Sequence, residues 1–165
     1  MKNRKKQSQN YMLPLAAVIC VISLMVMIAA LTMGQKQETA EFTPPPFDVT
    51  AQVGTPTVSE DLGWSELDAQ AFKVSVCGVF APENGSADIW LTNPENNTVW
   101  LKLRVLDTDG NILGETGLIR PGEYVQSVTL DKVPKSGANI ILKLMAYEPE
   151  TYHSAGAASL NTTVK

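Results

Sequence analysis

The chain has 165 residues, 13 basic and 17 acidic, a formal net charge of −4, and 44% hydrophobic against 18% charged residues. With the apolar run 12–33 and its basic preface set aside, about one ordinary domain's worth of chain is left, which excludes a two-lobed dinucleotide enzyme, an eight-fold β/α barrel and a polytopic transporter. Residues 1–47 hold 5 basic and 2 acidic side chains (net +3) and residues 48–165 hold 8 and 15 (net −7); an acidic globular part repels phosphate backbones, so no nucleic-acid role is expected.

Residues 1–11 form a basic tail with Lys2, Arg4, Lys5 and Lys6 and no acidic side chain. From Met12 to Met33 there are 22 residues without a charge. As a helix rising about 1.5 Å per residue this run spans roughly 33 Å, close to the roughly 30 Å of a hydrocarbon core. It predicts one transmembrane helix over 12–33, and the positive-inside bias puts the amino terminus in the cytoplasm and everything after Gly34 outside. A cleaved signal peptide is the rival, because Thr32-Met33-Gly34 offers small residues at alternate positions; a cleavable apolar region is normally shorter, about 7–15 residues. Cys20 follows the bulky Ile19 in mid-run, unlike a lipid-attachment cysteine, and reads as a small apolar packing residue. The linker 34–47 contains Pro44-Pro45-Pro46. In a polyproline II path of about 3.1 Å per residue, its stretch from Gln35 to Phe47 holds a domain up to roughly 40 Å from the bilayer.

Residues 48–165 show a period of two. Phe72, Val74 and Val76 alternate with Lys73, Ser75 and Cys77; Ile89 and Leu91 flank Trp90; Val99, Leu101, Leu103 and Val105 alternate with Trp100, Lys102 and Arg104; Ile140, Leu142 and Leu144 alternate with Ile141 and Lys143. One face is apolar and the other mixed, as in antiparallel sheets that bury a single side. Asn93 to Asn97 and Asp107 to Asn111 read as hairpin turns, and Arg120-Pro121-Gly122-Glu123 as a type II turn. Further strands near Tyr124 to Leu130 and Ala157 to Val164 bring the total to about seven. The pattern predicts an all-β, immunoglobulin-like antiparallel sandwich, with a small barrel as the alternative. Val49 to Leu67 is the least patterned stretch, and Ser65 with Asp68 suggests the cap of one helical turn.

Cys77 is the single cysteine of residues 48–165, so the domain relies on core packing rather than an internal disulfide, and a buried inert thiol is expected. His153 is the one histidine of the chain. It lies in a turn beside Glu148 and Glu150, with no nucleophile in a recognisable motif, so neither a catalytic triad nor a metal site is predicted. Asp107, Asp109 and Asn111 resemble the start of a calcium loop, but the late bidentate glutamate and flanking helices are missing, and Asp-Gly is what a tight hairpin requires. A disulfide-free outer domain suits a bacterial envelope protein better than a eukaryotic receptor, and in such a host the three Asn-x-Ser/Thr triplets, at Asn84, Asn96 and Asn161, carry no weight.

Trp90 and Trp100 are the main binding candidates. If their strands pair in one hairpin with Ile89, Leu91, Val99 and Leu101 on the core face, both indoles share the outer face, with Lys102 and Arg104 further along it. Two indoles beside cations suit a sugar ring or a carboxylate-bearing polymer; a cross-strand pair that stiffens the sheet is the plainer reading.

The run Ile89-Trp90-Leu91-Thr92-Asn93-Pro94-Glu95, the run Val99 to Arg104, the run Gly114 to Val125 and the tail from Ala146 to Gly156 resemble a group of small signal-anchored surface proteins of Gram-positive gut bacteria. The resemblance covers roughly residues 48–165, implies a bacterial envelope setting, and brings no functional residue with it. The expectation is a non-enzymatic, membrane-anchored extracellular module without a cofactor, binding a protein or cell-wall polymer as an accessory of a surface or secretion assembly. A glycan-binding module built on the tryptophan pair is the alternative.

Overall fold

The computed structural model describes residues 20–27 and 42–165, which fall into two units divided after Thr43. In the first, residues 20–27 are helical with exposed side chains. The rest of the expected span 12–33, the basic tail and residues 34–41 lie outside the described residues. Among the described residues no helix is long and apolar enough to cross a membrane.

The second unit is built from ten strands: β1 (Gln52–Val53), β2 (Trp64–Asp68), β3 (Lys73–Cys77), β4 (Pro82–Glu83), β5 (Ser86–Thr92), β6 (Trp100–Asp107), β7 (Ile112–Glu115), β8 (Glu123–Thr129), β9 (Asn139–Tyr147) and β10 (Ser154–Thr163). They form two antiparallel sheets, ordered β1-β8-β5-β3-β2 with β4 on β5, and β10-β9-β6-β7. Alternation decides what lies between them. Phe72, Val74, Val76, Ile89, Leu91, Leu101, Leu103, Val105, Ile140, Leu142 and Leu144 are all buried in one cluster. Each such side chain contributes roughly 1.5–3 kcal/mol on leaving water. The sheets are stitched at both sides, by single bridges between Gly114 and Leu130 and between Phe80 and Val164.

Two local expectations are corrected. Trp64–Asp68 is a strand paired with β3, not a helical turn; the turn lies earlier, as a 3-10 segment over Glu60–Leu62 that ends at Gly63. The second correction concerns Asn93 to Asn97, which does not close a hairpin. β5 and β6 belong to different sheets, so the segment crosses the sandwich. Ile89 and Leu91 share the buried cluster with Leu101 and Leu103 from the other sheet instead of lying beside them in one sheet, an arrangement with the same period and the same turn composition. The other two turns are as expected. Asp107 to Asn111 joins β6 to β7, and Gly122 at φ 79° follows Pro121 in a turn closed by Glu123 N–H donating to Arg120 O.

The last residues before the sandwich are bonded to it, although they fall within the stretch read as linker. Leu118 N–H donates to Pro46 O at 2.9 Å and Asp48 N–H to Leu118 O at 2.8 Å.

Candidate functional site

The crossover separates the two indoles that the sequence placed together. Trp90 lies on the outer face of the β8-β5-β3 sheet and Trp100 on the outer face of the other one, so they do not form a single platform.

Trp90 sits where β5 slips register against β8, between Asp88 and Leu91. Its φ of 45° is left-handed, a backbone state that costs a bulky residue of order 1–3 kcal/mol unless its surroundings hold it there. They do so in two ways. Trp64 Nε1 donates to Trp90 O at 2.9 Å, and the Trp90 ring stacks on Tyr124 with centroids 6.0 Å apart and planes 25° from parallel. Beneath lie Cys77, opposite Trp64 in register, and Ser75, opposite Thr92, which in turn faces Tyr124. All three of these small residues are buried on an outer sheet face, with Trp64 as the register partner of Cys77 and Tyr124 as that of Thr92. Trp90 Nε1 is buried without a hydrogen-bond partner.

Trp100 belongs to a second aromatic group. Phe47 meets it edge-on at 4.8 Å and Tyr152 at 5.2 Å, and the Arg120 guanidinium lies 3.7 Å from the Phe47 ring centre. Tyr147 is its register partner on β9. The group seals the segment 46–48 against the sheet.

Lys102 and Arg104 do lie on the outer face with Trp100, but both are engaged. Lys102 Nζ and Arg104 Nε each meet the Glu115 carboxylate at 2.7 Å, one oxygen apiece. Lys102 is buried, so this is a positioned ion pair rather than a cationic surface. Burial pushes the Glu115 carboxyl upward, but the two cationic hydrogen bonds outweigh it and hold the group below the usual carboxylate range.

Cys77 is buried, and desolvation, with Asp88 nearby, pushes its thiol up to about 11. Asp107 keeps its oxygens for its own turn: Oδ1 accepts from the N–H groups of Asp109 and Asn111 and Oδ2 from Asn111 Nδ2. The Asn111 amide, ahead of the backbone donors, holds this carboxyl below its ordinary value. His153 is exposed in the loop between β9 and β10, where its carbonyl accepts from Glu148 N–H.

Sequence reasoning missed Asn93. It is fully buried, and its amide donates to Val99 O at 2.9 Å and Ile119 O at 3.1 Å while its Oδ1 accepts from Asn97 Nδ2 at 2.7 Å. Asn97 in turn bonds both backbone groups of Lys73. The two asparagines tie the crossover to both sheets. Their only signal was a polar, proline-containing connection between two strongly apolar strands, which a hairpin also has.

No family model matches the chain, and the search of curated proteins returns no significant relative.

Proposed function

We propose that the chain is a single-pass membrane protein whose sandwich lies outside the cell and binds a protein or cell-wall polymer, with no catalytic activity of its own. The observation that carries this reading is the 22-residue uncharged run behind four basic residues. Two antiparallel sheets ordered β1-β8-β5-β3-β2 and β10-β9-β6-β7 support it: we take the sandwich to be immunoglobulin-like, an architecture common among displayed modules. The resemblance to signal-anchored surface proteins of Gram-positive gut bacteria points to the same envelope setting. Extraction of membranes at alkaline pH tests the anchor. The chain is expected in the pellet with the integral proteins; release into the supernatant contradicts the reading.

A second reading is favoured by one observation, the grouping of Trp64, Trp90 and Tyr124 on the sheet face that carries buried Ser75, Thr92 and Cys77. That face suits stacking of a pyranose ring, and it replaces the two-tryptophan platform. Tryptophan fluorescence titrated with peptidoglycan fragments is then expected to shift in the native chain and in Trp100→Ala but not in Trp90→Ala. A shift that survives Trp90→Ala refutes it.

A further inference from the structure

The two sheets do not end level. Sheet order puts β10 at one edge of its sheet and β2 at one edge of the other. β10 lies under β3, not under β2: a side chain at Gly156 would meet Ala71 and Phe72 at 3.6 Å, and Thr162 Oγ1 donates to Gly78 O at 2.8 Å. β2, paired to β3 on the far side, therefore overhangs the β10 edge by one strand, about 4.8 Å.

Under that overhang the β10 backbone is open. Val164 N–H donates to Ala138 O, and Val164 O accepts from Gly137 N–H, on the β9 side, while Lys165 N–H points the other way to Phe80 O. Alternation carried back along an unbroken register sends the N–H and C=O of Thr162, Leu160 and Ala158 to β9 and those of Ala157, Ser159 and Asn161 outward. Among the described residues those outward groups have no backbone partner. β10 runs for ten residues, SAGAASLNTT, without a charge or a proline. It lacks the charges and prolines with which exposed edges are normally blunted.

The slot also has apolar walls. Leu67 and Ser65 pair with Val74 and Val76, so they face inward, yet Ser65 is exposed and Leu67 only half-buried, as are Ala158 and Leu160 on β10. A strand inserted there would cover these surfaces with every second side chain.

We propose that the step between β2 and β10 accepts one extended strand from a partner protein, paired to β10, with small or β-branched apolar residues at alternate positions and neutral or basic residues between them. The domain's net charge of −7 over residues 48–165 favours the basic choice. A second folded copy does not fit. A dyad at Ser159 would bring two overhanging β2 strands into the same space, since the overhang exceeds half the strand spacing. The proposal deepens the binding reading above by giving the module its binding edge.

The test uses the full chain in detergent micelles and a synthetic peptide, acetyl-Lys-Thr-Val-Thr-Val-Thr-Val-Thr-Lys-amide, with a peptide of the same composition but clustered valines as control. The alternating peptide alone is expected to slow hydrogen exchange over Ala157 to Asn161 at least tenfold. Ser159→Pro removes an outward N–H that β9 does not use; it should leave the melting temperature unchanged and abolish the protection. Leu67→Glu, which charges the slot from the opposite strand, should weaken peptide binding at least tenfold and decides the matter if the proline variant does not fold. No protection, equal protection by both peptides, protection that persists in these variants, or a dimer of sandwiches abolished by Ser159→Pro overturns the proposal. Any of these leaves the membrane reading intact, whereas release at alkaline pH refutes that reading and not this one.

Discussion

Asp48 and Gly117, 69 residues apart, are locked together: the Asp48 carboxylate accepts the Gly117 N–H at 2.8 Å, and a side chain on Gly117 would sit 2.4 Å from Asp48 N. The contact joins the start of the sandwich to the connection between β7 and β8, with Phe47 on Trp100 and Arg120 on Phe47 continuing the seal. Residues 46–48 are therefore held to the sandwich at a fixed point.

Gly117→Ala is expected to release this clip, because backbone atoms rather than a flexible side-chain tip stand in the way. We expect a loss of about 1–3 kcal/mol in denaturant unfolding, faster protease cleavage near Phe47 and altered Trp100 fluorescence. Unchanged cleavage would show that the clip does not hold the segment.

Asn93→Ala strands the Val99 carbonyl in the core, takes one of two donors from the Ile119 carbonyl, which keeps the Leu101 N–H, and removes the tie to Asn97. With one buried carbonyl left unpaired at about 1–3 kcal/mol and two further hydrogen bonds lost at about 0.5–1.5 kcal/mol each, the variant should lose about 2–4 kcal/mol in equilibrium unfolding. A loss below about 1 kcal/mol would mean that water reaches the crossover.

Glu115 links acid sensitivity to Lys102 and Arg104. Its folded value lies below the unfolded one of about 4.3, so its stabilisation is present above that pH and is lost as pH falls through the folded value. Glu115→Gln should cost about 1–2 kcal/mol at pH 7, a range kept low because the carboxylate is partly exposed, and the difference from the native chain should shrink toward pH 3. Asp107 shifts in the same direction and contributes equally to both chains. A difference that does not change with pH would contradict the assignment.

Cys77, with its thiol pushed up to about 11, has about one thiolate in a few thousand at pH 7.5. In a Cys20→Ser chain, alkylation should be at least a hundredfold slower in buffer than in denaturant. Rapid native labelling would place the thiol at the surface.

Much of the sandwich was legible because alternation is a local signal. The core residues of β3, β5, β6 and β9 follow directly from it. β1 and β4, with two residues each, are too short to show a period, and β2 carries Ser65 at an inward position where a core strand would be apolar, because it overhangs the other sheet. The pairing of strands was not legible. Asn93-Pro94 supplies the same turn chemistry for a hairpin as for a crossover, and whether Leu91 meets Leu101 beside it or across from it is a tertiary choice. The tryptophan platform depended on that choice and fell with it. The buried state of Lys102 was hidden for the same reason, since its neutralising partner Glu115 lies 13 residues away on β7.

Protease added to intact cells that carry the chain with a tag after Lys165 tests the proposed display of an anchored sandwich outside the cell. The tag is expected to be removed while a cytoplasmic marker survives. A tag that stays protected until the cells are opened would contradict it.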